Sequence, residues 1–112
     1  MIDQIRPSDL ADWFAQNPNA APVLLDVREP WELQTASVTP QGFTLATIPM
    51  NEIPGRINEL HAGKRIACLC HHGARSLRVA AFLAQNGFAE VANVAGGIDA
   101  WSTQHDPSVP RY

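Results

Sequence analysis

The chain has 112 residues, 46% of them hydrophobic, and a formal net charge of −3, which suits one packed core and gives no sign of a second domain. Its eight Lys and Arg are scattered, with no basic stripe and no interleaving of aromatic and basic residues, and this argues against nucleic acid as a partner. No apolar stretch follows Met1 and no run of about 18 apolar residues occurs, so no membrane partner is expected; Cys68 and Cys70, alternate residues of one strand, are poorly placed for a disulfide, which points to a reducing, cytoplasmic setting.

In chain order, Ile2 and Ile5 alternate with polar residues, and Pro7 and Ser8 offer a helix start with Leu10, Trp13 and Phe14 at helical spacing. That helix is expected to end near Asn17 and Pro18. Val23, Leu24, Leu25 and Val27 form a near-continuous apolar run, as in a parallel strand covered on both faces, with Asp26 at its C-terminal end. Residues 29–32 are placed to open one more helical turn. Residues 35–43, with Pro40 and Gly42 and no clear period, read as a loop.

A strand is expected over 44–49 and a helix over 52–60, with Asn51 as N-cap and Pro54 in its first turn. The next strand, 65–70, leads into the best helical pattern of the chain, 76–86, where Leu77, Ala80, Ala81, Leu83 and Ala84 recur and Gly87 is the stop. A short strand over 91–94, a Gly96-Gly97 turn and a helical turn over 98–102 follow, and 107–112 is expected to be unstructured. Alternating strands and helices imply an α/β sandwich with a mainly parallel sheet and right-handed crossovers, whose ligands gather at the C-terminal strand ends. Asp26 and Cys70 both lie at such ends.

Cys70 stands between an apolar strand and a helix start. The first N–H groups of a helix lack intrahelical partners and carry a partial positive charge, so an anion is favoured there, and Cys70 is expected to be more acidic than a free thiol. A nucleophilic thiolate needs an electropositive, partly exposed cradle of this kind. Gly73 permits the tight turn that directs N–H groups inward, and Arg75 offers a fixed cation and a bidentate fork for an anionic substrate.

Three segments, Cys70-His71-His72-Gly73-Ala74-Arg75-Ser76, Leu25-Asp26-Val27-Arg28-Glu29 and Gly96-Gly97-Ile98-Asp99-Ala100-Trp101, together resemble a single-domain rhodanese, over roughly 7–101 with 103–112 as a tail. The resemblance implies a rhodanese-like three-layer sandwich with a five-stranded sheet and helices on both faces. It also implies a sulfurtransferase that moves a sulfane sulfur from thiosulfate or a related persulfide donor to cyanide, a thiol or a protein through a Cys70 persulfide. No cofactor or metal is implied. The partners would be small-molecule sulfur donors and acceptors, with a protein acceptor also open, and the state a monomer or weak homodimer.

By the same resemblance, Cys70 is the nucleophile and His71, His72, Gly73, Ala74, Arg75 and Ser76 form the substrate-binding loop. Asp26, Arg28 and Glu32 would brace it. His71 and His72 either supply hydrogen bonds and partial charge or line the rim. With no lysine or second arginine in the loop, the site carries less permanent charge than family members suited to thiosulfate, so a different donor is open. The middle of the chain departs from the family pattern: 36–42 and 46–49 replace the usual Gly-His-Ile-Pro-Gly-Ala type segment. Trp13, Trp31, Trp101 and Cys68 read as packing residues.

Three rivals remain in view. Cys68, Cys70, His71 and His72 supply soft metal ligands within five positions, but structural zinc usually draws on two separated pairs, and His61 and His105 have no paired ligand nearby. Cysteine phosphatases place five residues between cysteine and arginine; here four separate Cys70 from Arg75, a tighter ring suited to one sulfur atom rather than a phosphoryl group. The third rival is a non-enzymatic rhodanese-like binding or sulfur-relay module.

Overall fold

Five parallel strands form one sheet in the order β1-β5-β4-β2-β3. The structure, a computed structural model, describes residues 2–17 and 21–112. The strands are β1 (Asp3–Ile5), β2 (Pro22–Asp26), β3 (Thr44–Thr47), β4 (Arg65–Leu69) and β5 (Val91–Val94), and the helices are α1 (Leu10–Ala15), α2 (Pro30–Thr35), α3 (Ile53–Arg56), α4 (Ala74–Gln85) and α5 (Gly97–Gln104).

The side-chain alternation of the strands sorts the core into two layers. Leu24, Ala67, Leu69 and Val94 face α1 and α5, packing with Leu10, Trp13, Phe14, Ile98 and Trp101. Val23, Leu25, Ile66 and Cys68 face the other way, against Ile53 of α3 and Val79, Ala80 and Leu83 of α4. With a sheet between two helical layers, each large apolar side chain so enclosed contributes roughly 1.5–3 kcal/mol. β4 is buried along its whole length because it lies between β5 and β2.

Several elements differ from expectation for identifiable reasons. Pro7–Asp9 forms a 3-10 turn before α1, whose C-cap is Gln16; Pro18 lies outside the described residues. The helix expected over 52–60 breaks into two 3-10 turns, Met50–Glu52 and Ile57–Glu59, around the four-residue α3. Pro54 and Gly55 sit within those four residues, and neither supports a continuous helix. α4 begins at Ala74, two residues before the apolar pattern starts, since Gly73 at φ 107° serves as its N-cap. Trp13 and Trp101 are buried, but Trp31 is 62% exposed on the outer side of α2 and is not a core residue.

Residues 107–112 carry no helix or strand, yet they are not loose. Val109 is buried in the core cluster that holds Trp101, the Ser102 hydroxyl donates to the Val109 carbonyl, and Arg111 pairs with Asp99 at 2.9 Å. Burial of one apolar side chain and satisfaction of a buried main-chain carbonyl fix the segment where periodicity had no purchase.

Candidate active site

Cys70 follows the last residue of β4, and the loop 71–73 turns directly into α4. The Gly73 N–H donates to Cys70 Sγ at 3.0 Å, and the Ser76 hydroxyl lies 3.3 Å from the same sulfur. The turn depends on Gly73, whose φ of 107° is a left-handed conformation that side-chain-bearing residues rarely adopt. Asn93 of β5 completes the arrangement: its Oδ1 accepts from the Ser76 hydroxyl, and its Nδ2 donates to the Gly73 carbonyl at 3.0 Å and to Gln4 Oε1 at 3.0 Å.

The loop is gripped from behind by α5. The N–H of Ile98 donates to the Cys70 carbonyl at 2.8 Å and that of Asp99 to the His71 carbonyl at 3.1 Å. This approach requires glycine at 97. A Cβ there would meet the Cys70 carbonyl oxygen at 2.5 Å and that of His71 closer still.

Cys70 itself is 1% exposed, in contrast to the partly exposed thiol expected, because its side chain packs in the layer that contains Val27, Ile48 and Val79. Cys68, two residues earlier on the same face, is fully enclosed, and burial pushes its thiol far above the ordinary range. It is a packing residue.

Asp26, Arg28 and Glu32 form a buried polar brace beside the loop. The Arg28 guanidinium, fully enclosed, bonds Asp26 through Nε at 2.9 Å and Nη2 at 2.7 Å, and its remaining N–H donors meet the carbonyls of Glu32 and Ala36 and the Tyr112 hydroxyl. A buried guanidinium left with open donors would be costly; here each is satisfied. Glu32, 3% exposed, accepts both terminal nitrogens of Arg75 at 2.7 and 2.8 Å, the Glu29 N–H at 3.1 Å and the Tyr112 hydroxyl at 2.6 Å. The Arg75 fork, together with the Tyr112 and Glu29 donors, outweighs burial and holds its carboxyl down at about 2.

The structure therefore turns the Arg75 fork onto Glu32 rather than leaving it free for an anionic substrate. His71 is half-buried and His72 exposed, their rings stacked at 3.9 Å; Ala74 is the exposed first residue of α4. Two participants carried no weight in the sequence reading. Asn93 had a local signal, a polar residue inside the apolar run 91–94, of the same kind that drew attention to Asp26. Tyr112 had none.

The fold and the cradle define a parallel α/β domain that holds one thiol at the C-terminal end of its central strand, beneath the Gly73 N–H of a helix-opening loop. Residues 10–104 match the family model described as the rhodanese-like domain, and the chain belongs to that family. It is 40% identical over 93 residues to a rhodanese-like/PpiC domain-containing chloroplastic protein 12 of Arabidopsis thaliana, covering 80% of this chain but only 30% of that protein. It is 32% identical over 109 residues to a sulfurtransferase of Allochromatium vinosum, covering 97% and 96% of the two chains. Among solved structures, a rhodanese-related protein of Thermoplasma volcanium superposes with a TM-score of 0.77 at 32% identity, over 98% of this chain and 99% of that one.

Proposed function

We propose that this domain is a sulfurtransferase that carries a sulfane sulfur on Cys70. The observation that carries the reading is the Gly73 N–H directed at the Cys70 sulfur at the mouth of α4, with the Ser76 hydroxyl oxygen 3.3 Å from the same atom. The full-length similarity to a protein named as a sulfurtransferase supports it. In the first half-reaction the Cys70 thiolate attacks the outer sulfur of the donor. A bond forms between the two sulfurs, the donor's own bond to that sulfur breaks, and its remainder leaves with the electron pair, as sulfite if the donor is thiosulfate. In the second, an acceptor nucleophile such as cyanide, a thiol or a protein thiol takes the outer sulfur and the Cys70 sulfur regains its electrons. The negative charge alternates between the two sulfurs, and the Gly73 N–H, already directed at the Cys70 sulfur, can stabilise charge there without reorganising.

Because Arg75 is engaged by Glu32, the loop offers a sulfonate no uncommitted guanidinium fork, and a small persulfide or polysulfide suits the site better than thiosulfate. Intact-mass measurement tests the reading. Treatment with thiosulfate or an inorganic polysulfide should add one sulfur, about 32 daltons, removable by cyanide and absent in Cys70→Ser. An adduct retained in Cys70→Ser, or no cyanide-labile adduct with either donor, overturns it.

A further inference from the structure

Tyr112 lies 42 residues beyond Cys70 in the sequence but touches one end of the loop that follows it and, through Glu32, is linked to Arg75 beyond the other. At one end its ring stacks on His71, with centroids 3.9 Å apart and planes 6° from parallel, and its main-chain oxygen accepts from His71 Nε2 at 2.8 Å. A main-chain oxygen only accepts, so this contact places the imidazole proton on Nε2. At the other end the Tyr112 hydroxyl donates to Glu32 Oε2 at 2.6 Å and accepts from Arg28 Nη1 at 3.0 Å. Glu32 in turn holds both terminal nitrogens of Arg75.

One side chain thus links the first residue of the 71–73 loop with, through Glu32, Arg75 in the first turn of α4 that follows the loop. Between them lies Gly73, whose N–H meets Cys70 Sγ. The loop has other ties, the α5 N–H groups on the carbonyls of Cys70 and His71 and Asn93 Nδ2 on that of Gly73, but none of these reaches the Arg75 side chain. Tyr112 is not loosely placed: Val109 is anchored in the core and Arg111 is paired with Asp99.

We propose that Tyr112 is a positioning residue for the Cys70 cradle, setting the loop conformation in which the Gly73 N–H faces the sulfur. The ring fixes His71 and the hydroxyl fixes Glu32 and hence Arg75, so the two parts of the side chain have separable effects. The consequence for sulfur transfer rests on the function proposed above, while the effect on Cys70 reactivity does not. A shift of the order of an ångström in such a group costs large factors in rate.

The test uses the whole chain with Tyr112→Phe, which keeps the ring stack, and Tyr112→Ala, which removes the stack and the hydroxyl contacts and leaves only the main-chain bond to His71. Two quantities are read: alkylation of Cys70 by iodoacetamide, followed as the single adduct absent in Cys70→Ser, and the kcat and KM for sulfur transfer to cyanide. Circular dichroism gives the folded fraction. In the alanine variant, alkylation and kcat should each fall by about tenfold with KM within about twofold of the parent, and the phenylalanine variant should lie between the two. A merely structural role would lower kcat only in proportion to the folded fraction. Rates within twofold of the parent, losses that follow the folded fraction, or faster alkylation in Tyr112→Ala would overturn the proposal; the last would mean that the residue shields the thiol. If the parent transfers no sulfur but alkylation still falls in Tyr112→Ala, the positioning role stands and the transferase reading fails.

Discussion

The Arg75 guanidinium lies on the Glu32 carboxylate through two hydrogen bonds of 2.7 and 2.8 Å, joining the first turn of α4 to α2 across 43 residues of sequence. This planar fork makes the loop after Cys70 part of a polar brace that continues through Tyr112 and Arg28 to Asp26. Its consequences can be measured.

Glu32→Gln keeps the shape of the side chain but removes the charge that all four donors share. The Arg75 fork would then face an amide with one acceptor oxygen in place of two. The loss of charge-assisted bonds at a nearly enclosed site is expected to cost about 1–3 kcal/mol of unfolding free energy, and sulfur loading of Cys70 should slow. Denaturant unfolding checks the first part; unchanged stability would show that the brace contributes nothing net.

The same carboxyl gives the stability an acid limb. Its folded value of about 2 lies below the ordinary 4.5, so the unfolded chain binds the proton more readily and ionised Glu32 stabilises the fold at every pH above 4.5. That contribution is lost as pH falls from about 4.5 towards about 2. Asp99 and Asp106 are also lowered, by Arg111 and by Ser108, so part of the limb belongs to them. Melting temperature followed across this window in the parent and in Glu32→Gln isolates the Glu32 share: the limb should be shallower in the variant, and parallel curves would contradict the assignment.

Gly97→Ala should disturb the site from the far side of the loop. The added Cβ would press on the carbonyl oxygens of Cys70 and His71, and φ at 97 is +63°. Neither obstacle is the flexible end of a side chain, so the main chain must move, at a cost on the order of 1–3 kcal/mol. The melting temperature should drop and alkylation of Cys70 should change. Gly63→Ala serves as the control, since a Cβ there meets nothing within 4 Å and φ is not left-handed.

The order of strands and helices was legible in the sequence because each element carries a local signal. The apolar run of β2 read as a strand buried on both faces and residues 65–70 as the next strand, and both are buried almost throughout. The spacing of Leu77, Ala80 and Leu83 read as a helix, and α4 is there, although its N-terminus lies earlier because a glycine cap outranks the apolar pattern in deciding where a helix starts. Where signals conflicted, as at Pro54 and Gly55, the expected helix broke.

By itself, then, the sequence determined that an α/β sandwich would place Cys70 at a strand end and a helix mouth, since strand period, helix period and the position of a glycine are properties of a few neighbouring residues. Only the tertiary structure decided how much of the sulfur is covered and what Arg75 holds: it is Glu32, not open solvent, that takes the fork. It also brought Asn93 and Tyr112 to the loop, from 20 residues beyond Gly73 in one case and 80 beyond Glu32 in the other. Such contacts form when the chain is folded back on itself, and no periodicity within a segment encodes which distant side chain will meet it.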